Sequence, residues 1–126
     1  MKVPDDLKYT EKHEWARAEG DKARVGITDF AQHELTDIVY VELPVVGKAY
    51  AKGDVLAVVE SVKSTSDMFA PVSGTVVEVN KALEGKPEAI NKDPYGAGWL
   101  AVLKVGAPAE MHSMLGPDQY KKLTEK

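Results

Sequence analysis

Apolar positions run along this chain in short, often alternating bursts, each closed within a few residues by Gly, Pro, Asn or Asp. That spacing predicts short strands rather than long helices. His13-Glu14-Trp15-Ala16-Arg17-Ala18-Glu19 puts Trp15 and Arg17 on the face opposite Glu14, Ala16 and Ala18, and Gly20-Asp21 turns it back into Ala23-Arg24-Val25-Gly26-Ile27-Thr28 as a hairpin. Gly26 inside the second strand marks a bulge or a close backbone approach. Asp29 to Leu35 predicts one short helix, capped by Thr28 or Asp29, with Gln32 at capping-box spacing from Asp29. Its Leu35 turns to the core with Phe30 beside it, while His33 and Glu34 face solvent. Ile38 to Leu43 is β-rich and stops at Pro44. Val55 to Val59 and Met68 to Ala70 then flank a polar centre, with Pro71 and Gly74 as closing turn residues. This is a hairpin with a broken apex, and Lys63 near that apex projects into water among small hydroxyl side chains and Val62.

Beyond it, Gly74-Thr75-Val76-Val77-Glu78-Val79 echoes Gly53-Asp54-Val55-Leu56-Ala57-Val58. Two such units on either side of Lys63 suggest a quasi-symmetric sandwich with the lysine at one end. Asn80 suits the cap of a helical turn through Glu84, with Gly85 as its stop, and Pro87 opens another turn. A turn-dense loop over 91–98 leads into a last strand, Trp99 to Val105. From Pro108 the period becomes helical, with Met111, Met114 and Leu115 on one face as core residues. Gly116-Pro117 breaks it, and Tyr120 and Leu123 continue a second short amphipathic helix. About seven short strands with peripheral helices predict a small β-sandwich or barrel.

Length changes the picture little: 126 residues make one domain, 1–126, with a core from about 15 to 105 and a helical C-terminal segment from about 108 to 125. Composition excludes more. Cysteine is absent, so there is no disulfide, thiolate metal site or cysteine nucleophile. His13, His33 and His112 lack metal-ligand spacing, and His13-Glu14 does not continue as H-E-x-x-H. A net charge of −4 with mixed signs lacks the clustered basic face of a nucleic-acid binder. The N-terminus has no signal-peptide core and no run spans a bilayer, so the expectation is a cytoplasmic protein with neither nucleic acid nor membrane as partner. Ser61, Ser64 and Ser66 beside Lys63 raise a Ser-Lys dyad, but a polar hairpin tip cannot supply the desolvated lysine that such chemistry needs. An exposed lysine at a fixed height suits modification by another enzyme. Amide formation there abolishes its charge.

Glu60-Ser61-Val62-Lys63-Ser64, followed by Ser66-Asp67 and Ala70-Pro71-Val72-Ser73-Gly74, resembles the lipoylation site of the glycine cleavage system H-protein family. The resemblance extends through Leu7-Lys8-Tyr9-Thr10, His13-Glu14-Trp15, Val25-Gly26-Ile27-Thr28-Asp29, Val39-Tyr40-Val41-Glu42-Leu43-Pro44, Glu78-Val79-Asn80, Asp93-Pro94-Tyr95-Gly96 and Gly98-Trp99-Leu100. Biotinyl domains place methionine on both sides of their lysine; here the flanks are Val62 and Ser64. The lipoyl domains of 2-oxoacid dehydrogenases share the hairpin but lack the His13-Glu14-Trp15 and Asp93 to Trp99 segments, and they are the second resemblance.

What the first resemblance implies is a mostly-β lipoyl/biotinyl-type sandwich (a barrel-sandwich hybrid) with short peripheral helices and a C-terminal helical segment. It implies a carrier and not an enzyme, with lipoate in amide linkage to Lys63. Glu60, Ser61, Val62, Ser64 and Asp67 are then the attachment-site residues read by a lipoate ligase or octanoyltransferase. In the family, a pyridoxal-phosphate-dependent glycine decarboxylase loads an aminomethyl group on the lipoyl arm. An aminomethyltransferase hands the carbon to tetrahydrofolate, and an FAD-dependent dihydrolipoyl dehydrogenase reoxidises the dithiol. Glu14 and Asp67 are the candidates for a cleft that holds the loaded arm. Phe30 stands where many members have histidine, so no histidine contact is carried over. A lipoyl relay serving other acceptor proteins, or an unmodified scaffold of the same fold, are the alternatives.

Overall fold

The computed structural model describes residues 2–125. The N-terminal alternation gives β1 (Lys8–Tyr9), β2 (Glu14–Glu19) and β3 (Lys22–Ile27), an antiparallel set joined at β2–β3 by the expected turn. Gly26 pairs with Trp15 in the ladder, and a Cβ at Gly26 would stand 2.8 Å from the indole ring. The glycine therefore makes room for the largest buried side chain of the chain, the close approach that its position in the strand predicts. Helix α1 (Asp29–Leu35) starts at Thr28, whose hydroxyl accepts the Ala31 N–H at 3.2 Å, so of the two candidate caps Thr28 is the one used. The Gln32 amide donates to the Asp29 carboxylate at 2.7 Å.

Six further strands follow among the described residues: β4 (Ile38–Glu42), β5 (Ala49–Tyr50), β6 (Val55–Ser61), β7 (Thr65–Phe69), β8 (Gly74–Val79) and β9 (Ala101–Val105). They form two sheets, one ordered β1-β2-β3-β9-β8-β5 and the other β4-β6-β7. The two echoing segments feed β6 and β8, one in each sheet, as the quasi-symmetry predicts. Alternation along the strands sends Val25, Val76, Ala101 and Leu103 of the large sheet and Leu56 of the small one into a shared core. The small sheet also buries Ile38, Val41, Val59 and Met68 against Ala31 and Leu35 of α1, Leu83 and Ile90. A third cluster stacks Tyr9 on Tyr120 and includes Trp15 and Tyr95. The mostly-β sandwich with short helices is thus the observed architecture.

The short helices depart from expectation in three places. Asn80 caps nothing with its side chain: α2 (Ala82–Gly85) has no side-chain cap, and the buried Asn80 amide donates instead to Ala97 and Trp99 carbonyls, both at 2.8 Å. Holding the 97–99 loop satisfies a buried amide better than a solvent-exposed helix turn does. After α3 (Ala89–Lys92), the helix expected through Leu115 ends early, as α4 (Ala109–His112). Leu115 turns extended and exchanges two 2.8 Å backbone hydrogen bonds with Tyr9. In α5 (Pro117–Thr124) Tyr120 is fully buried, but Leu123 remains 48 % exposed. No helix among the described residues is long and apolar enough to cross a membrane.

Candidate functional site

The β6–β7 ladder closes at the Glu60–Thr65 pair, leaving 61–64 as the apex. Ser61 builds this turn. Its N–H donates to the Ser64 carbonyl at 2.8 Å, and its hydroxyl accepts the Lys63 and Ser64 N–H groups at 3.1 and 3.0 Å. The same hydroxyl donates back to the Ser64 carbonyl at 3.2 Å. Val62 N–H reaches the Asp37 carbonyl at 2.9 Å, tying the tip to the connection between α1 and β4. The backbone of Lys63 is therefore pinned while its side chain stands exposed.

That side chain does not simply extend into water. Its Nζ donates to the Glu34 carbonyl at 3.2 Å, across to the last turn of α1. The reason is general: the last carbonyls of a helix lack partners within it and carry the negative end of its dipole, which favours a cation there. The contact lies at the surface and leaves the amine within reach of an outside enzyme.

Between α1, the loop before β2 and the hairpin lies a cleft of about 300 Å³. Phe30, Ala31, Leu35 and Met68 give it apolar surface, and Lys12, Glu34, Ser64 and Asp67 join Lys63 as its polar lining. A larger hollow of about 490 Å³, beside Tyr40, Leu43 and Glu84, does not include Lys63. The cleft thus gathers Lys63, Ser64 and Asp67 from the sequence-predicted set. Glu60, on the small sheet, sits opposite Tyr40 and Thr65, with the Thr65 hydroxyl 3.5 Å from its carboxylate. Val62 is exposed beside the lysine. Glu14, next to the cleft-lining His13, is buried: one carboxylate oxygen accepts the Thr10 hydroxyl at 2.6 Å and the other the Phe69 N–H at 3.2 Å. Burial pushes its carboxyl above the ordinary value, against the opposing pull of those two hydrogen bonds and of Lys12.

Sequence reasoning missed His13, Lys12, Phe30 and Glu34 as cleft residues. Phe30, expected beside Leu35 in the core, is half-buried with its ring 4.6 Å from that of His13. His13 adopts φ 72°, a left-handed backbone that its place before β2 does not announce. Burial lowers its pKa, opposed by the charge of Glu34. Only the place of His13 in the His13-Glu14-Trp15 segment, with Lys12 beside it, hints at a position near the site.

Comparison with known proteins places this geometry. A family model described as "Glycine cleavage H-protein" matches residues 7–126. The chain is 52% identical over 125 residues to a glycine cleavage system H protein of Thermus thermophilus, covering 99% of this chain and 98% of that relative. It is 50% identical over 123 residues to one from Carboxydothermus hydrogenoformans, covering 98% and 95%. The crystal structure of a glycine cleavage system H protein from Mycobacterium marinum superposes with a TM-score of 0.87 at 42% identity, over 95% of this chain and 97% of that one.

Proposed function

The chain belongs to the glycine cleavage H-protein family, whose members are carriers rather than catalysts, and on that premise we propose that Lys63 bears an amide-linked lipoyl group that moves an aminomethyl group and electrons between the enzymes of glycine cleavage. The observation that carries the reading is the pairing of an exposed, backbone-pinned lysine with a half-apolar cleft beside it. Phe30, Ala31, Leu35 and Met68 suit an aliphatic arm, and the polar lining leaves its reactive end wet. When bound, the lipoyl disulfide supplies a site that accepts the aminomethyl group and two electrons. One carrier domain spanning the whole chain, acting in the cytoplasm, is part of the same proposal.

The rest belongs to this chain's own side chains. Ser61 fixes the apex, so a lipoate ligase or octanoyltransferase meets the amine at a constant height, with Glu60, Val62, Ser64 and Asp67 as the surface it reads. Acylation removes the ammonium charge, and the hydrogen bond to the Glu34 carbonyl becomes a neutral one, roughly half as strong. The arm is then free to leave α1. Asp67 and Glu34 place carboxylates where a cationic aminomethyl end would return, with Lys12 opposing them. Tethering raises the local concentration of the arm at each partner in turn: the pyridoxal-phosphate decarboxylase, the tetrahydrofolate-dependent aminomethyltransferase and the FAD-dependent dihydrolipoyl dehydrogenase.

The test is exchange of labelled bicarbonate into the carboxyl carbon of glycine, with purified decarboxylase. Lipoylated protein should support exchange, and the unmodified chain and Lys63→Arg should not. Failure of the lipoylated protein, in a reaction where a known H protein works, would remove the proposed role.

A further inference from the structure

The hydrogen-bond chain behind the cleft wall fixes where a proton sits in it. Tyr120, from α5, is fully buried and stacks on Tyr9 with ring centroids 4.7 Å apart. Its hydroxyl lies 2.8 Å from His13 Nδ1 and 2.7 Å from Thr28 Oγ1. Thr28 Oγ1 already accepts the Ala31 N–H that starts α1. Its own proton has one acceptor among the described residues, the Tyr120 oxygen, so Tyr120 must turn its proton to His13 Nδ1. The opposite polarity, with Nδ1–H donating to Tyr120 and Tyr120 to Thr28, leaves the Thr28 proton without an acceptor in a buried place, which folded proteins avoid. The backbone holds His13 on both sides as well: its N–H donates to the Thr10 carbonyl at 3.1 Å and its carbonyl accepts the Thr28 N–H at 3.0 Å. The ring cannot swing away from this fixed backbone without losing its hydrogen bond to Tyr120 and its packing on Phe30.

From this geometry we infer that the C-terminal helix sets the chemistry of the cleft wall: Tyr120 holds His13 as the neutral Nε2–H tautomer, and that N–H is the cleft's hydrogen-bond donor to the acceptor atoms of a folded-in acyl arm. His13 Nε2 has no partner among the described residues, and His13 lines the cleft together with Phe30, Ala31 and Lys63. Tyr120 and Thr28 are positioning residues that act through His13. The identity of the arm as lipoyl-Lys63 rests on the function proposed above; the proton arrangement of the unmodified chain does not.

Long-range proton–nitrogen NMR on the full-length, uniformly nitrogen-labelled protein tests both parts. In the unmodified chain at neutral pH, His13 should show Nδ1 at an unprotonated-nitrogen shift and Nε2 at a protonated one, as a single tautomer. Tyr120→Phe keeps the stacked ring and should admit the Nδ1–H form, whereas Thr28→Ser keeps the chain of donors and should leave the tautomer unchanged. A wild-type proton on Nδ1, or a tautomer population that Tyr120→Phe does not move, overturns the proton arrangement. After treatment with lipoate ligase, protein that has gained the lipoyl mass should show a shifted Nε2 resonance, absent in Lys63→Arg treated alike. Lipoyl mass with an unmoved Nε2 overturns the donor role. Absence of the lipoyl mass contradicts the proposed function and leaves the tautomer result standing.

Discussion

Ser61 shows what a single hydroxyl does for the attachment lysine. It organises two N–H groups and one carbonyl of a four-residue apex, although its size suggests only a small neighbour that keeps the amine accessible. Ser61→Ala should cost about 1 kcal/mol in denaturant unfolding, as expected for exposed hydrogen bonds partly replaced by water, and should slow acylation of Lys63 by a ligase. An unchanged acylation rate would show that the turn does not need this clasp. A half-buried histidine and a buried glutamate near the cleft give pH effects of opposite sign. His13 titrates below its ordinary 6.5 because burial disfavours the imidazolium, with Glu34 opposing. The unfolded chain then takes up that proton first, so stability falls as pH drops below 6.5. Glu14 is raised above 4.5 by burial, so the folded chain holds a proton that the unfolded chain has released. Its stabilisation is present below 4.5 and lost as pH rises through the raised value. Unfolding midpoints measured across pH should lose the first slope in His13→Asn, a residue suited to the left-handed backbone. They should lose the second in Glu14→Gln, which can still bond Thr10 and Phe69. At this scale the sequence named Glu14 and Asp67 for the cleft and Lys63 and Ser64 for the attachment site, and a shared hairpin brings Lys63, Ser64 and Asp67 to the cleft. The Lys63–Glu34 contact and the His13 wall depend on where α1 packs, which local pattern does not encode.

Elements were legible where chemistry is local. Thr28 announces α1, Gly20-Asp21 the first hairpin, and Gly26 the space that Trp15 fills. Gly26→Ala pushes a methyl against a fully buried indole, and overpacking of this kind costs about 1–3 kcal/mol. A lowered thermal midpoint with retained sheet signal in circular dichroism is the expected outcome, and an unchanged midpoint would mean that the ring yields. Local chemistry misled where tertiary demand outranks it. Asn80 has the side chain of a cap, yet two carbonyls of the 97–99 loop claim it. Leu115 continues a helical period but pairs with Tyr9 as a β-bridge. Neither partner is near in sequence, so neither outcome could be read from a window around the residue.

On the scale of the molecule, the two segments that distinguish this chain from the lipoyl domains of 2-oxoacid dehydrogenases meet in space. The Trp15 indole N–H donates to the Pro94 carbonyl at 3.0 Å across 79 residues, and Tyr95 packs 6.0 Å from the Trp15 ring. The Tyr95 hydroxyl accepts the Asp29 N–H at 2.9 Å and donates to the Lys2 carbonyl at 2.7 Å, so the same knot fixes the start of α1. One end of α1 is thereby held by the motif segments and its other end receives the lysine. The amino-terminal and 93–99 segments that carry much of the resemblance thus pack as one unit behind the cleft.

The proposed presentation of Lys63 for acylation is tested most directly by intact mass and peptide mapping after incubation with lipoate ligase, lipoate and ATP. The wild type should gain one lipoyl group, mapped to the peptide containing Lys63, and Lys63→Arg should gain none while keeping its thermal midpoint. A wild type that gains no mass, or a Lys63→Arg protein that still gains it, would show that Lys63 is not the attachment point.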